Sequence, residues 1–417
     1  MDDTPTTTPD GDVFMDLALA SSGLPPDGLV PVVSNAAARL GGRDAEVWLV
    51  DLSQRRLNHL SPSGERALPP RPVDGTAPGS AYRSVQPLEV PAGGRGRRLW
   101  IPILDAAERL GVLGVTVDGP VLDADQPGTL RRWTALASRV GELVVSKSGY
   151  GDVIALARRT DGVSLAAEMR WTMLPPLTFA SPGVTVSGIL EPAYDIAGDC
   201  FDYAVNRDVV HVALLDAIGH GLEASHMANL AIAGYRNLRR AGVGLGETVM
   251  SLDRLIAQQF GEQRFITGQI ATLDHSSGVL RMVNAGHPRP LLVRRGRDLG
   301  DVPCEPCRPV GLGAVPTTTT DVALEPGDAV LFHTDGVTES RSADGTFFGR
   351  DRLADLVVRR MAGGDTPAEV LRQVVHAVLE HEDQRLRDDA TLVMLEWQGA
   401  RSNDRLADLR GGRSHGS

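Results

Sequence analysis

With 417 residues, of which 42% are hydrophobic and 23% charged, the chain has the composition of an ordinary soluble globular protein. Its length predicts two domains. The formal net charge of −11 argues against nucleic acid as the main partner, because phosphate binding needs a basic surface. Three cysteines are too few for a disulfide framework, no long apolar run predicts a membrane span, and the acidic N-terminus is unlike a signal peptide. We therefore expect a cytoplasmic protein without a membrane anchor.

The first third of the chain has the pattern of a small α/β domain. We predict disorder over residues 1–12, followed by a helix from Asp16 to Gly42 and a strand from Ala45 to Leu52. An irregular stretch from Ser61 to Arg98 comes next. Strands at 98–104 and 109–117 and a closing helix after Asp123 complete the domain. This order over residues 13–148 resembles a GAF domain, most closely in the paired strands from Leu99 to Val117. The resemblance implies a sensor that takes a small-molecule ligand. Another small α/β regulatory domain is the alternative.

Apolar residues continue at helical spacing after Gly151 and stop at Leu174-Pro-Pro, where proline cannot continue a helix. We predict a linker helix within residues 149–178. A helix that joins two domains can pack on one of them or pair with its own copy, and we expect the second arrangement, a homodimer.

The remainder, residues 179–398, alternates short β-rich segments with paired helices, and residues 399–417 are predicted to be disordered. Strands joined by short turns favour two mainly antiparallel sheets with helices as outer layers, an α+β fold.

Four acidic motifs lie at predicted strand ends or turns of this second half. They are Ala197-Gly-Asp199, Asp216-Ala-Ile-Gly-His-Gly221, His333-Thr-Asp335-Gly-Val-Thr-Glu339 and Asp388-Asp-Ala-Thr391. Asp216 alone could be an ordinary turn cap. If the strands that adjoin Asp335 and Asp388 are neighbours, however, their aspartates meet at one sheet edge.

Clustered carboxylates repel one another and lose hydration, and bound cations remove that conflict. Carboxylate, carbonyl and water oxygens suit Mg²⁺ or Mn²⁺ better than zinc. Two such ions about 3.5–4 Å apart can share a bridging aspartate, lower the pKa of a water and clamp phosphoryl oxygens during in-line attack. The motifs therefore predict a site for divalent cations, and two such ions could support the attack of a water on a phosphoryl group.

Together, the four motifs resemble the metal-dependent protein phosphatases (type 2C, PPM), and more specifically their bacterial SpoIIE-type branch. The segments Asn284–Leu292 and Trp171-Thr-Met-Leu-Pro-Pro176 also resemble that branch. The resemblance implies a sandwich of two antiparallel sheets flanked by helices (αββα). It also implies phosphoserine/phosphothreonine phosphatase activity and a phosphorylated anti-sigma-factor antagonist as substrate.

The resemblance assigns roles to individual residues. Asp216 is implied to bridge two Mn²⁺ or Mg²⁺ ions, with the Ala217 carbonyl as a further ligand. Asp199 would bind the second ion, and Asp335 and Asp388 the first. Asp389 is the alternative to Asp388 if the last motif is offset by one residue.

Some positions depart from the family pattern or are ambiguous. The usual Gly-Gly-Asp is Ala197-Gly-Asp here, followed by Cys200, and neither change removes an oxygen ligand. Ile218 occupies the position of a candidate general acid in eukaryotic relatives. His220 is a candidate catalytic residue, which could bind phosphate or protonate the leaving oxygen, or could stabilise the turn. His287 could likewise be structural.

Other candidate groups are weaker. Glu339 and Asp202 are expected to support the site or lie on the surface rather than bind metal. Cys304-Glu-Pro-Cys307 has no second cysteine pair for zinc. Two alternatives to a protein phosphatase remain, a non-catalytic pseudophosphatase scaffold and a metal phosphohydrolase for small molecules.

Overall fold

The computed structural model describes residues 9–62, 68–94, 96–122, 127–195, 198–261, 263–313 and 317–399. The chain divides into two compact units, Met1–Gly162 and Val163–Ser417. Of the two stretches predicted to be disordered, residues 1–8 and 400–417 lie outside the described residues. The prediction is wrong for residues 9–12, which belong to the first helix. No helix within the described ranges is both long and apolar enough to cross a membrane.

The N-terminal unit is one antiparallel sheet with helices on both faces. Its helices are α1 (Pro9–Ser22), α2 (Leu29–Arg39), α3 (Ala77–Ser84), α4 (Pro127–Lys147) and α5 (Val153–Ala157), and its strands are β1 (Arg43–Val50), β2 (Arg56–His59), β3 (Arg71–Pro72), β4 (Leu88–Pro91), β5 (Gly96–Asp105) and β6 (Glu108–Asp118). The strand order is β3-β2-β1-β6-β5-β4. Residues of α1, α2 and α4 form a core with one sheet face, while Tyr82 of α3 packs with Trp48 and Trp100 on the other. The likeness to a GAF domain stays a prediction.

Two sequence predictions for this region are corrected by the structure. The predicted helix from Asp16 to Gly42 is two helices, because Pro25 and Pro26 interrupt it with a short 3₁₀ turn. The stretch from Ser61 to Arg98, predicted to be irregular, contains β3, α3 and β4. Helix α3 begins where the Thr76 hydroxyl accepts the N–H of Gly79 at 3.1 Å, a cap that the Pro/Gly-rich composition obscured.

The predicted single linker helix is also wrong. Helix α5 ends at Ala157, and α6 (Leu165–Met173) starts after a break. In that break the Arg158 carbonyl accepts the N–H of Leu52 at 3.0 Å, and the Ser164 hydroxyl caps α6 by accepting the N–H of Ala167 at 3.2 Å. Because these contacts satisfy the backbone outside a helix, the chain leaves helical geometry at the boundary between the two units.

The C-terminal unit contains two antiparallel sheets. Its helices are α6, α7 (Gly221–Arg240), α8 (Leu245–Phe260), α9 (Asp335–Thr338), α10 (Arg350–Ala362) and α11 (Pro367–His381), and its strands are β7 (Thr178–Ser181), β8 (Val184–Glu191), β9 (Asp199–Asn206), β10 (Val209–Ala217), β11 (Ile266–Asp274), β12 (Val279–Ala285), β13 (Leu291–Arg294), β14 (Arg297–Asp301), β15 (Thr320–Ala323), β16 (Asp328–His333) and β17 (Ala390–Trp397). The strand orders are β15-β12-β11-β10-β9 and β14-β13-β16-β17-β8-β7.

The two sheets pack face to face, and helices cover their outer faces. Alternate residues of each strand explain this layering: Val212 and Leu214 of β10 belong to the core between the sheets, whereas Ala213 and Leu215 pack under α7 and α8. Helices α10 and α11 cover the outer face of the six-stranded sheet. The expected α+β fold of two antiparallel sheets flanked by helices is therefore confirmed.

The strand arrangement also confirms a neighbour relation on which the metal prediction depended. Strand β16 pairs with β17, with His333 opposite Leu392. Asp335 follows the end of β16 and Asp388 precedes the start of β17, so both lie at the same edge of the six-stranded sheet.

Candidate metal centre

Asp199 and Asp216 lie side by side at the edge of the five-stranded sheet. Asp199 begins β9, Asp216 is the penultimate residue of β10, and the two are direct partners in the antiparallel register. Residues two positions apart on a strand face the same side of the sheet. Asp216 therefore points to the same side as Leu214, and Asp199 to the same side as Phe201. Leu214 and Phe201 both face the other sheet. The two carboxyl groups are therefore directed toward the edge of the second sheet.

Thr334 connects the two sheet edges. Its hydroxyl donates a hydrogen bond to Asp199 Oδ2 at 2.8 Å and accepts one from the N–H of Thr391 at 3.0 Å. Thr334 precedes Asp335, and Thr391 lies three residues after Asp388. The buried Thr334 side chain therefore fixes the distance between the edge that carries Asp199 and Asp216 and the edge that carries Asp335 and Asp388. The sequence motifs contained both threonines, but only the fold shows that they meet.

The four predicted metal ligands share one electrostatic environment. Burial, followed by Asp335 and Asp388, raises the pKa of Asp216 to about 7. Burial, followed by Asp216, raises the pKa of Asp199 well above its usual value, and burial also raises the pKa of Asp388. Carboxyl groups that raise one another's pKa in this way are close enough to repel, and bound cations would relieve that repulsion.

These donors fit a pair of hard divalent cations. All four side chains offer carboxylate oxygens, which suit Mg²⁺ and Mn²⁺. Within the described ranges, no three His, Cys, Asp or Glu side chains converge on one point. The Ala217 carbonyl faces Gly198, where an added Cβ would lie 2.8 Å from the carbonyl oxygen. Ala197, the first residue of that motif, lies outside the described residues.

Asp389 has different partners from Asp388. Its Oδ2 accepts the N–H groups of Gly198 and Asp199 at 2.6 and 3.0 Å, and its Oδ1 accepts the Arg170 guanidinium at 3.1 Å. Asp389 is buried, whereas the Asp388 residue is exposed although neighbouring atoms partly desolvate its carboxyl group. Among the described residues, Asp388 accepts the N–H of Asp389 at 2.9 Å. Asp389 is therefore a support for the backbone that carries Asp199, and the assignment of Asp388 as the metal ligand stays a prediction.

Arg170 is a residue that the sequence motifs did not identify. It lies on α6, is 1% exposed, and donates to the Pro192 carbonyl at 2.5 Å in addition to Asp389. The neighbouring Trp171 indole donates to the Ala193 carbonyl at 2.7 Å. A signal was present, because Arg170 falls at helical spacing from the apolar Ala166 and Ala167, on a face that is buried.

The two ambiguous histidines differ in position. The His220 side chain is exposed at the start of α7 and makes no capping hydrogen bond there. His287 is buried, and its Nδ1 lies 2.9 Å from Thr267 Oγ1, which also lies 3.4 Å from Asp216 Oδ2. Burial lowers the pKa of His287 to about 3, so the ring is neutral at physiological pH. If the threonine proton points to Asp216, His287 donates from Nδ1.

The weaker candidates have structural partners. The Asp202 carboxylate is buried between Arg236 and Arg239, at 2.7 and 2.8 Å. Cys304 and Cys307 are free thiols whose pKa values are raised by burial, which disfavours the reactive thiolate. Gly219 and Gly221 have positive φ angles of 95° and 76°, so the turn after Asp216 requires conformations that favour glycine.

Comparisons with known proteins identify this region. Residues 206–398 match the family described as Stage II sporulation protein E (SpoIIE). The chain is 24% identical over 237 residues to the phosphoserine phosphatase RsbU of Bacillus subtilis, covering 56% of this chain and 69% of RsbU. It is 25% identical over 242 residues to protein IcfG of Synechocystis, covering 50% of this chain but only 37% of IcfG.

Among solved structures, the RsbU and RsbW domains of Rv1364c from Mycobacterium tuberculosis align with a TM-score of 0.47 and 25% identity. That alignment covers 54% of this chain and 63% of the other. The family match contains Asp216, Asp335 and Asp388 and begins within β9, so it coincides with the two-sheet unit that holds the aspartates. Over residues 206–398 the chain is therefore similar to the SpoIIE family.

Proposed function

We propose that the protein is a Mn²⁺- or Mg²⁺-dependent phosphoserine/phosphothreonine protein phosphatase. The observation that carries the proposal is the pairing of Asp199 with Asp216 at one sheet edge, joined through Thr334 to the edge that bears Asp335 and Asp388. Two bound divalent ions would supply a water of lowered pKa and neutralise the phosphoryl oxygens during its attack.

The residues of the chain have separate tasks in this proposal. Asp216 would bridge the two ions, assisted by the Ala217 carbonyl, with Asp199 on one ion and Asp335 and Asp388 on the other. Thr267 and Thr334 orient the first two carboxylates by hydrogen bonds. The exposed His220 remains the candidate for protonating the leaving oxygen of the substrate. Its distance from the phosphoryl position in a substrate complex would decide that role.

The proposed substrate is a phosphorylated anti-sigma-factor antagonist, as the resemblance to the SpoIIE-type branch implies. The name of the relative RsbU, a phosphoserine phosphatase, supports a phosphoserine substrate. The protein would act in the cytoplasm, where such a substrate is found. A panel of phosphoproteins and small phosphate esters would separate this function from that of a small-molecule phosphohydrolase.

We further propose that the N-terminal unit regulates the phosphatase unit as a ligand-binding sensor, within a homodimer. In the first unit, Thr160 donates to Asp51 Oδ2 at 2.9 Å in the β1–β2 turn. Five residues later the chain begins α6, whose Arg170 supports the aspartate cluster. A conformational change in the β1–β2 turn could therefore be transmitted to the proposed metal centre through the short chain segment from Thr160 to Arg170. Thr160→Val should alter the metal-dependent rate, and an unchanged rate would argue against this route.

The replacement Asp216→Asn tests the proposed chemistry. It removes the charge that would bridge two ions while conserving size, so Mn²⁺-dependent release of phosphate from a serine-phosphorylated protein should fall by at least about 10³-fold. Asp208→Asn is the matched control, because Asp208 is exposed in the turn at the far end of the same β9–β10 pair. Retained activity of Asp216→Asn, measured beside that control, would refute the two-metal assignment.

A further inference from the structure

A surface hairpin directly follows the Asp335 motif. The N–H of Phe348 donates to the Ser340 carbonyl at 2.8 Å, and the N–H of Ser342 donates to the Thr346 carbonyl at 3.0 Å. Inside the turn, Asp344 Oδ1 accepts the Ser342 hydroxyl at 2.5 Å and the N–H of Thr346 at 3.1 Å. These bonds fix the hairpin, residues 340–349, in one backbone conformation beside the metal centre.

The carboxylate of Glu382 joins this hairpin to the segment that carries Asp388. Its Oε1 accepts the N–H of Arg341 at 2.8 Å, and its Oε2 accepts the N–H of Arg387 at 3.0 Å. Both Glu382 oxygens accept backbone N–H groups, so this carboxylate positions the main chain of Arg341 and of Arg387. It forms no ion pair with either guanidinium group among the described contacts.

Arg341 and Arg387 line the same cavity as Asp335 and Asp388, a pocket of about 220 Å³. Among the described residues, neither arginine forms a salt bridge or a side-chain hydrogen bond, whereas many other surface arginines of this acidic chain are paired with carboxylates. The Arg341 guanidinium instead lies 4.2 Å from the centroid of the Phe347 ring, which is 46% exposed. The lining of this pocket therefore combines the guanidinium groups of Arg341 and Arg387 with acidic side chains, namely those of Asp335, Glu339, Glu382 and Asp388. The Phe347 ring does not line the pocket but lies against Arg341 at its border.

We propose that Arg341, Arg387 and the Phe347 ring form the docking subsite for the protein substrate, where they receive an acidic side chain close in sequence to the phosphorylated residue. This inference rests on the proposed phosphatase function. A guanidinium held against an aromatic ring loses less freedom when it binds a carboxylate, and its planar set of donors matches the two carboxylate oxygens. The reacting phosphoryl group would be bound near Asp335 and Asp388, which line the same pocket.

The subsite predicts a sequence preference that can be measured with two synthetic phosphoserine peptides, one flanked by glutamates and the other by glutamines. The wild-type protein with Mn²⁺ should hydrolyse the glutamate-flanked peptide with a kcat/KM about tenfold higher, through a lower KM. Arg341→Gln and Arg387→Gln should each reduce that ratio toward one. Arg341→Lys, which keeps the charge without the planar fork, should retain part of it.

Arg297→Gln is the matched control. Arg297 is an exposed arginine without a salt bridge among the described side chains, and it lies in the β13–β14 hairpin at the opposite end of β16 from Asp335. The proposal is overturned if the wild-type protein shows no preference, if the preference survives in both Arg341→Gln and Arg387→Gln, or if Arg297→Gln removes it equally. Hydrolysis of p-nitrophenyl phosphate by the wild-type protein reports on the phosphatase function itself, so its absence would refute that function and not only the subsite.

Discussion

Arg170 and Asp389 form a buried ion pair, with Nη1 and Oδ1 3.1 Å apart and both side chains 2% exposed. The pair joins the first helix of the C-terminal unit to the residue that holds the backbone of Asp199. A buried pair of this kind contributes little net stability, but the loss of one partner leaves a buried charge without compensation. Arg170 is therefore a positioning residue for the metal centre.

Arg170→Met should destabilise the protein by about 3–5 kcal/mol and weaken Mn²⁺ binding, because Asp389 would lose its charge partner. The double replacement Arg170→Met with Asp389→Asn should recover part of both losses, since the asparagine Oδ1 can still accept the N–H of Gly198. Urea unfolding and metal titration of the four proteins in the cycle measure the coupling. Additive effects of the two replacements would contradict the proposed role.

Metal affinity should depend on pH through Asp216. Because its pKa is raised to about 7 in the metal-free protein, a proton competes with the ion below that value. Apparent Mn²⁺ affinity should therefore fall by about fivefold between pH 7 and pH 6 and by about tenfold for each further unit, and calorimetry should detect proton release on binding. An affinity that stays flat between about pH 8 and pH 6 would contradict an ionised Asp216 ligand.

Metal removal should lower thermal stability, and more so at higher pH. The folded metal-free protein binds the Asp216 proton more tightly than the unfolded chain does. The contribution of this group to stability is therefore largest at low pH and is lost as the pH rises toward 7. Mn²⁺ at about 100 times its Kd should add about 2.7 kcal/mol. The increase should be measurable by calorimetry with and without chelator, and Asp216→Asn should show little of it.

Thr267→Val tests the hydrogen bonds behind Asp216. The change keeps the shape of the side chain but removes the hydroxyl between His287 and Asp216. We expect Mn²⁺ affinity to fall by about 10–100-fold, the usual cost of losing a group that orients a metal ligand. His287→Gln should have a smaller effect of the same sign, because Thr267 can still donate to Asp216. Unchanged affinity in Thr267→Val would show that this contact has no orienting role.

Gly336→Ala should damage the site for steric reasons. An added Cβ would lie 2.0 Å from the Asp389 carbonyl oxygen and 3.4 Å from the Asp388 Cβ, so α9 and the Asp388 segment would have to separate. We expect a loss of metal binding together with about 1–3 kcal/mol of stability. Gly128→Ala is the control, since no atom of the described residues lies within 4 Å of its Cβ position and alanine favours the helix there. Equal behaviour of the two variants would refute the steric argument.

The sequence by itself determined the layered α+β fold of the second half, because strand alternation and apolar helix spacing are local patterns. It also predicted four aspartates as metal ligands, because carboxylates at strand ends are a local pattern too. Three further features became clear only in the tertiary structure. Thr334 reaches Asp199 across 135 positions, Arg170 reaches Asp389 across 219, and the Glu382 carboxylate holds Arg341 and Arg387 together. The break between α5 and α6 was likewise hidden, because hydrogen bonds to Leu52 and the Ser164 cap overrode helical periodicity. These residues lie far apart in sequence, and only the packing of two sheets and one helix around a shared edge decides which polar groups meet.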